Sequence, residues 1–171
     1  VVKNYDPNTL SGIVLNENLA TSFAAANSFT VVGLPVITPQ TSGLVANLNF
    51  NGISQTNLLQ SSGNTLASGN ADTVNFTVRV STSLFFTPFK NSVLGSALNT
   101  NNQTIIDSSQ AGLNPDPDND LNPFNNNLPT VVSFTPASFF GITKVGAITA
   151  AADKTFDVSY TITIHNLGND T

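Results

Sequence analysis

The sequence predicts an all-β fold built as an antiparallel sandwich, and three observations carry that expectation. The apolar residues that would form the core are Val, Leu, Ile and Phe, with no Trp, Met or Cys anywhere in the chain. β-branched and aromatic side chains suit a pleated, half-buried surface. The straight-chain charged residues that favour helices are scarce: charged residues make up 9% of the chain, against about 25% in an ordinary soluble domain. Finally, Asn, Gly, Ser, Asp and Pro recur between short apolar runs, the spacing of strands joined by turns.

Two segments alternate strictly. In Thr73–Val80, Val74, Phe76, Val78 and Val80 alternate with Thr73, Asn75, Thr77 and Arg79. In Thr155–Asn166, Phe156, Val158, Tyr160, Ile162 and Ile164 alternate with Asp157, Ser159, Thr161, Thr163 and His165. Period two with one apolar face predicts strands packed on a core on one side and wet on the other. Shorter strands are expected at Leu10–Leu15, Ser28–Val32, Pro35–Thr38, Leu44–Leu48, Val93–Leu98, Thr130–Phe134 and Ile142–Ile148. Asn51-Gly52, Ser62-Gly63-Asn64 and Ser68-Gly69-Asn70 supply turn chemistry between them.

The balance of charge excludes some partners. Five basic residues (Lys3, Arg79, Lys90, Lys144 and Lys154) against ten acidic ones give a net charge of −5 and no basic run. Nothing would neutralise phosphate, so nucleic acid and anionic membranes are not expected partners. Without Cys there is no disulfide framework and no thiolate metal site. No apolar run reaches the roughly 18 residues of a membrane span. The chain opens on Val1-Val2 with no signal peptide, as a mature or excised fragment would.

The segment 108–129 differs in kind. Pro115, Pro117, Pro123 and Pro129 punctuate it, which rules out a helix or a central strand. Asp116, Asp118 and Asp120 alternate within it, with Asp107 upstream and Asn122 and Asn125–Asn127 downstream. Close carboxylates repel one another unless a cation or solvent compensates. Calcium takes six to eight hard oxygen ligands, and a proline-stiffened Asp/Asn loop supplies them. The expected ligands are Asp107, Asp116, Asp118, Asp120, Asn122 and Asn126, with Ca2+ as the ion. The pattern is not an EF-hand, because the central Gly and the terminal Glu are missing.

Catalysis is not expected. His165 is the only histidine and falls on the polar face of its strand; no strained Gly-x-Ser-x-Gly elbow and no phosphate-cradling glycine loop occurs. The remaining acids are scattered, so a paired-carboxylate site is not formed. Lys3, Asn166 and Glu17 are the residue types of an intramolecular Lys–Asn crosslink. Lys3 and Asn166 flank apolar strand positions rather than occupying them, which argues against the burial that such chemistry needs.

A correspondence links the two ends. Asn4 and Thr9 recur as Asn166 and Thr171, each pair 162 residues apart, in both cases after a strand-like run. A tandem array with that period would show this pattern.

The segment Phe156-Asp-Val-Ser-Tyr-Thr-Ile-Thr-Ile-His-Asn-Leu-Gly-Asn-Asp-Thr171 resembles the opening of the "conserved repeat domain" found in tandem in large bacterial cell-surface proteins and adhesins. In that family a Tyr-Thr-Ile-Thr-like strand is followed by Asn-x-Gly and then a Leu-rich strand. Here the following strand is similar to Thr9-Leu-Ser-Gly-Ile-Val-Leu-Asn-Glu-Asn-Leu19, at the other end of the chain. Asn47-Leu-Asn-Phe-Asn-Gly52, Asn57-Leu-Leu59 and Leu66-Ala-Ser-Gly69 are also family-like. The loop 112–130 is similar to an Asp-Pro-Asp-rich, calcium-binding element of Bacteroidetes-type versions, which usually carry Gly where Asn119 or Asp120 stands.

The resemblance implies an immunoglobulin-like (Ig-like) β-sandwich, an extracellular or cell-surface location, tandem repetition, and a module cut out of phase with the fold. On this reading residues 1–107 form the main body of the sandwich and 108–129 a calcium-binding connector. Residues 130–171 begin the next repeat or pair with a neighbouring copy, because the apolar face of Phe156–Ile164 needs a cover. The expected function is a structural stalk or fibre repeat, calcium-stiffened and assembling end to end with copies of itself. The competing expectation is an adhesin module that recognises surface sugars or protein, which exposed Phe85-Phe86 or Phe139-Phe140 pairs would favour.

Overall fold

The computed structural model describes residues 1–40, 42–135 and 138–167. Its strands are β1 (Val2–Lys3), β2 (Leu10–Asn16), β3 (Ser28–Thr38), β4 (Thr65–Leu66), β5 (Ala71–Ser81), β6 (Phe89–Asn91), β7 (Leu94–Leu98), β8 (Thr104–Ser108), β9 (Thr130–Val132), β10 (Phe140–Ala150) and β11 (Phe156–Asn166). One helical turn, α1 (Leu19–Ser22), and one 3-10 turn, Pro123–Asn125, complete the described elements. The fold is nearly all β, and its ladders are antiparallel.

The chain divides into two units, Val1–Ser133 and Phe134–Thr171. In the first, a sheet of order β1-β5-β3 and a sheet of order β4-β2-β7-β8 provide the facing walls of a sandwich, and β6 pairs with β9. Leu10, Ile13 and Leu15 of β2, Ile37 of β3 and Ala97 of β7 are buried. Leu44, Phe50, Leu58 and Leu59, from the long connection between β3 and β4, are buried with them. Phe50 meets Phe76 of β5 edge-on, with ring centroids 5.2 Å apart.

The two strictly alternating segments are strands, and Ser28–Val32 and Pro35–Thr38 join into one strand, β3, bent by irregular pairing around Gly33. The expected strand Leu44–Leu48 is instead a loop with a single bridge, Ala46 to Leu59. Its polar groups are met from elsewhere: the Val45 amide donates to Asn64 Oδ1, and the Asn47 amide to the Leu58 carbonyl. Thr130–Val132, grouped by the sequence with the C-terminal segment, pairs with Phe89–Asn91 in the first unit.

Buried asparagines hold this loop-rich interior together. Asn64 donates to the carbonyls of Ile13 and Gln60, and Asn4 to those of Asn8 and Leu66. Each side chain stands in for a ladder partner, which meets the requirement that buried carbonyls be paired. At the Asn51-Gly52 turn, Asn51 Oδ1 accepts from the amides of Ile53, Ser54 and Gln55. Gly52 has φ +71°, and a Cβ there would meet Leu19 Cδ1 at 2.4 Å. Both facts demand glycine.

Glu17 is fully buried; its Oε2 accepts from Asn91 Nδ2 at 3.1 Å, and its Oε1 has no partner. Burial pushes its carboxyl up to about 7, and the Asn91 hydrogen bond opposes that rise only in part. Between about pH 4.5 and 7 the native state therefore holds a proton that the unfolded chain releases, and stability falls as pH rises through that window. Glu17→Gln should match the parent chain at pH 4 and exceed it at pH 8. The expected gain is about 2 kcal/mol, less than the full shift implies because half-buried Asn91 and Ser22 let solvent screen the charge. Urea unfolding at both pH values measures it, and equal stabilities at pH 8 would contradict the buried, protonated acid. Lys3, the lysine considered for a crosslink to Asn166, lies over the Tyr5 ring at 4.5 Å.

The second unit is the hairpin β10–β11, paired over eleven rungs from Phe140↔Asn166 to Ala150↔Phe156. Its alternation predicted one buried face. Instead both faces are exposed throughout β11, including Phe156, Val158, Tyr160, Ile162 and Ile164. The pattern of a buried strand is present, and the two-stranded hairpin has no second layer of its own to cover it.

Candidate functional site

Two features of the first unit concentrate chemistry: the Asp-rich loop and an apolar groove beside it. In the loop, carboxylate oxygens of Asp116, Asp118 and Asp120 lie within 4.8 Å of one another. Two ligands on opposite sides of one calcium ion stand up to about 5 Å apart, so that spacing suits a shared ion. Local hydrogen bonds shape the cluster. The Asp116 amide donates to Asn114 Oδ1, the Leu121 amide to Asp116 Oδ2, and the Asn122 amide to Asp120 Oδ1. These are side-chain-to-backbone turns of the kind that Asn and Asp make in place of regular structure.

Asp116 is the anchor. It is 3% exposed, and its Oδ1 is buried with no hydrogen-bond partner. A buried carboxylate oxygen left unpaired costs free energy that a cation would offset. Asp118 and Asp120 are exposed. Asn126 Nδ2 donates to Asp118 Oδ1 at 3.2 Å, and this bond is the main influence holding the Asp118 carboxyl below its usual range. Asn125 Nδ2 donates to Asp120 Oδ2 at 2.9 Å. An all-oxygen set of this kind fits a hard cation such as calcium.

Of the other expected ligands, Asn122 precedes the 3-10 turn and makes no capping bond with its side chain. Asn126 touches the cluster through its amide nitrogen, and a half-turn of that amide would present oxygen instead. Asp107 stands outside the three-carboxylate cluster. It is held on β8 opposite Gly95, and its Oδ1 is also buried and unpartnered. Burial raises its pKa.

The same loop holds two residues in an unusual backbone conformation. Asn119 (φ +59°) and Leu121 (φ +66°) are left-handed. Asn tolerates that region and Leu does not, so Leu121 is held there against a cost of about 1 kcal/mol or more. Glycine would take either conformation freely.

The groove has a volume of about 540 Å3 and opens between the two sheets. Val74 and Phe76 of β5 form one wall, and Leu15, Ala97 and Ile105 the other. Val2 closes one part of it, and Leu121 and Phe124 of the Asp-rich loop form a rim. The sequence predicted strand faces but not this gap. It arises because β1 pairs with β5 only at Asp72 and Ala71, so the rest of that edge lacks a covering strand among the described residues.

Leu84, Phe85 and Phe86 are exposed at the turn between β5 and β6, with Phe86 at φ +61°; Phe139 and Phe140 are exposed at the start of the hairpin. No helix among the described residues is long and apolar enough to cross a membrane. Comparison with known proteins returns no match to any family model, curated protein or solved structure.

Proposed function

We propose that this chain is a structural module of an extracellular bacterial surface stalk or fibre, an Ig-like sandwich repeat that joins copies of itself end to end and is stiffened by calcium. The observation that carries the reading is the β10–β11 hairpin. Ile142, Ile148, Phe156, Val158, Tyr160, Ile162 and Ile164 share one of its faces, and all are exposed. A two-stranded hairpin is marginal in water on its own. A contiguous apolar surface of this extent marks an interface. The open groove of the sandwich and the 162-residue correspondence supply a matching surface and a reason for copies to meet. A structural role, rather than a catalytic one, agrees with the scarcity of charged side chains.

The test is sedimentation of the intact chain over a range of concentrations, with Ile162→Asp alongside. End-to-end assembly predicts species that grow with concentration and a variant that stays monomeric. A parent chain that remains monomeric at high concentration would remove the support for this reading.

One observation favours a second reading, that of an adhesin module. Leu84, Phe85 and Phe86 form an exposed apolar tip remote in sequence from the hairpin. Phe86→Ala would lower adhesion to a surface ligand while leaving self-assembly unchanged, and this separates the two readings.

A further inference from the structure

We infer that the partner on the open edge of β5 is strand β11 of a second copy, in one defined register that places Ile162 opposite Val74 and Asp157 opposite Arg79. The inference rests on the reading of the chain as a self-assembling repeat and specifies the joint.

Three independent features fix it. First, β1 runs antiparallel to β5 with Val2 opposite Asp72 and Lys3 opposite Ala71. Beyond them, the rungs from Val74 to Val80 have no partner on that edge among the described residues, while β3 occupies the other edge. Free main-chain donors and acceptors beside an apolar groove accept an added strand.

Second, the 162-residue correspondence aligns Asn166 with Asn4 and Ile164 with Val2, which sets the register; β1 already holds those rungs, so the added strand pairs only up to Ile162 and its last residues leave the edge there. Continuing the β1 ladder with the sequence of β11 sets Ile162, Tyr160, Val158 and Phe156 opposite Val74, Phe76, Val78 and Val80. Residues directly opposite in an antiparallel pair point to the same face. Every apolar residue of β11 in these rungs thus meets an apolar residue of β5, with Val74 and Phe76 lining the groove, and Tyr160 falls beside the Phe50–Phe76 aromatic contact.

Third, the opposite face agrees on charge. In this register Asp157 lies across from Arg79, both exposed, with Ser159 beside Thr77 and Thr161 beside Asn75. A slip of one residue would turn the apolar set to solvent. A slip of two would keep the faces but move Asp157 away from Arg79. Lys144, the one charged residue on the apolar face of the hairpin, lies over the Tyr160 ring at 4.0 Å, so its stem covers apolar surface.

The chain has no cysteine, so engineered pairs report without interference. Single-cysteine chains are mixed in equal amounts and oxidised: Val78→Cys with Val158→Cys on the groove face, and Thr77→Cys with Ser159→Cys on the solvent face. Opposite rungs alternate between closer and wider spacing, and testing both faces samples each kind. Asn75→Cys with Ser159→Cys reports the two-residue slip, and sedimentation of each mixture before oxidation reports assembly.

Mixed disulfide dimers from one or both in-register pairs, exceeding those from the slipped pair, are expected. Assembly with crosslinks only in the slipped register, or with none, would overturn the joint while leaving end-to-end association intact. Monomeric mixtures would overturn both. In the double variant Val78→Cys/Val158→Cys, a disulfide formed within one chain would overturn the second copy as occupant.

Discussion

Phe50→Ala is expected to destabilise the first unit by about 3–5 kcal/mol, the cost of removing a buried aromatic and leaving a cavity. Phe50 is 2% exposed and lies in a connection rather than a strand, so no ladder would compensate for the lost side chain. Its ring meets Phe76 edge-on, an arrangement that adds about 0.5–1.5 kcal/mol beyond burial. Ile162→Ala gives the contrast. Ile162 carries a strand-core pattern but is 61% exposed, so truncation should change the stability of the dilute chain by less than about 0.5 kcal/mol. Urea unfolding followed by far-ultraviolet circular dichroism measures both. Comparable losses from the two substitutions would mean that the hairpin face is already covered in solution, against the exposed arrangement described above.

Calcium is expected to raise the melting temperature of the parent chain and not that of Asp116→Asn. An ion that binds only the native state stabilises it by about 2.7 kcal/mol at 100 times Kd, which is about 5–10 °C for a chain of this size. Asn at position 116 keeps an oxygen for the Leu121 amide but lacks the charge. In EGTA the variant should therefore equal or exceed the parent, because three neighbouring carboxylates repel. With calcium the order should reverse. The effect should fade as the pH falls to the carboxylate range, since protonated ligands release the ion. An equal shift in both chains would place the ion elsewhere, and no shift in either would leave the loop a proline-stiffened acidic connector. Leu121 and Phe124 belong both to this loop and to the groove rim, so ordering the loop also fixes the surface that a docked strand would meet.

Much of this was legible in the residues alone. Strict alternation in 73–80 and 155–166 identified two long strands, because period two has no other compact explanation. The Asp-Pro-Asp run announced an irregular acidic loop, since proline removes ladder donors and Asp closes turns on its own backbone. Short elements were harder to see: β8 rests on Ile105-Ile106, β6 spans three residues and α1 is a single turn. None is long enough to show a period. Leu44–Leu48 misled for the opposite reason: Leu44 is buried while Val45 and Leu48 are exposed, and the backbone of the segment is met by the Asn64 side chain and by Leu58 and Gln60 rather than by a regular ladder.

The sequence determined the β class, the turns and the types of residue available to hold a cation, because each follows from local backbone chemistry and composition. Which carboxylates converge was decided by the tertiary structure, which draws Asp116, Asp118 and Asp120 together and keeps Asp107 on β8. It alone decided that Glu17 is buried beside Asn91, that β1 stops after two rungs, and that β11 pairs with β10 alone in a two-stranded sheet. Alternation states that a strand has a face to bury. Only the arrangement of the other strands determines whether that face is covered within the chain or left for a partner.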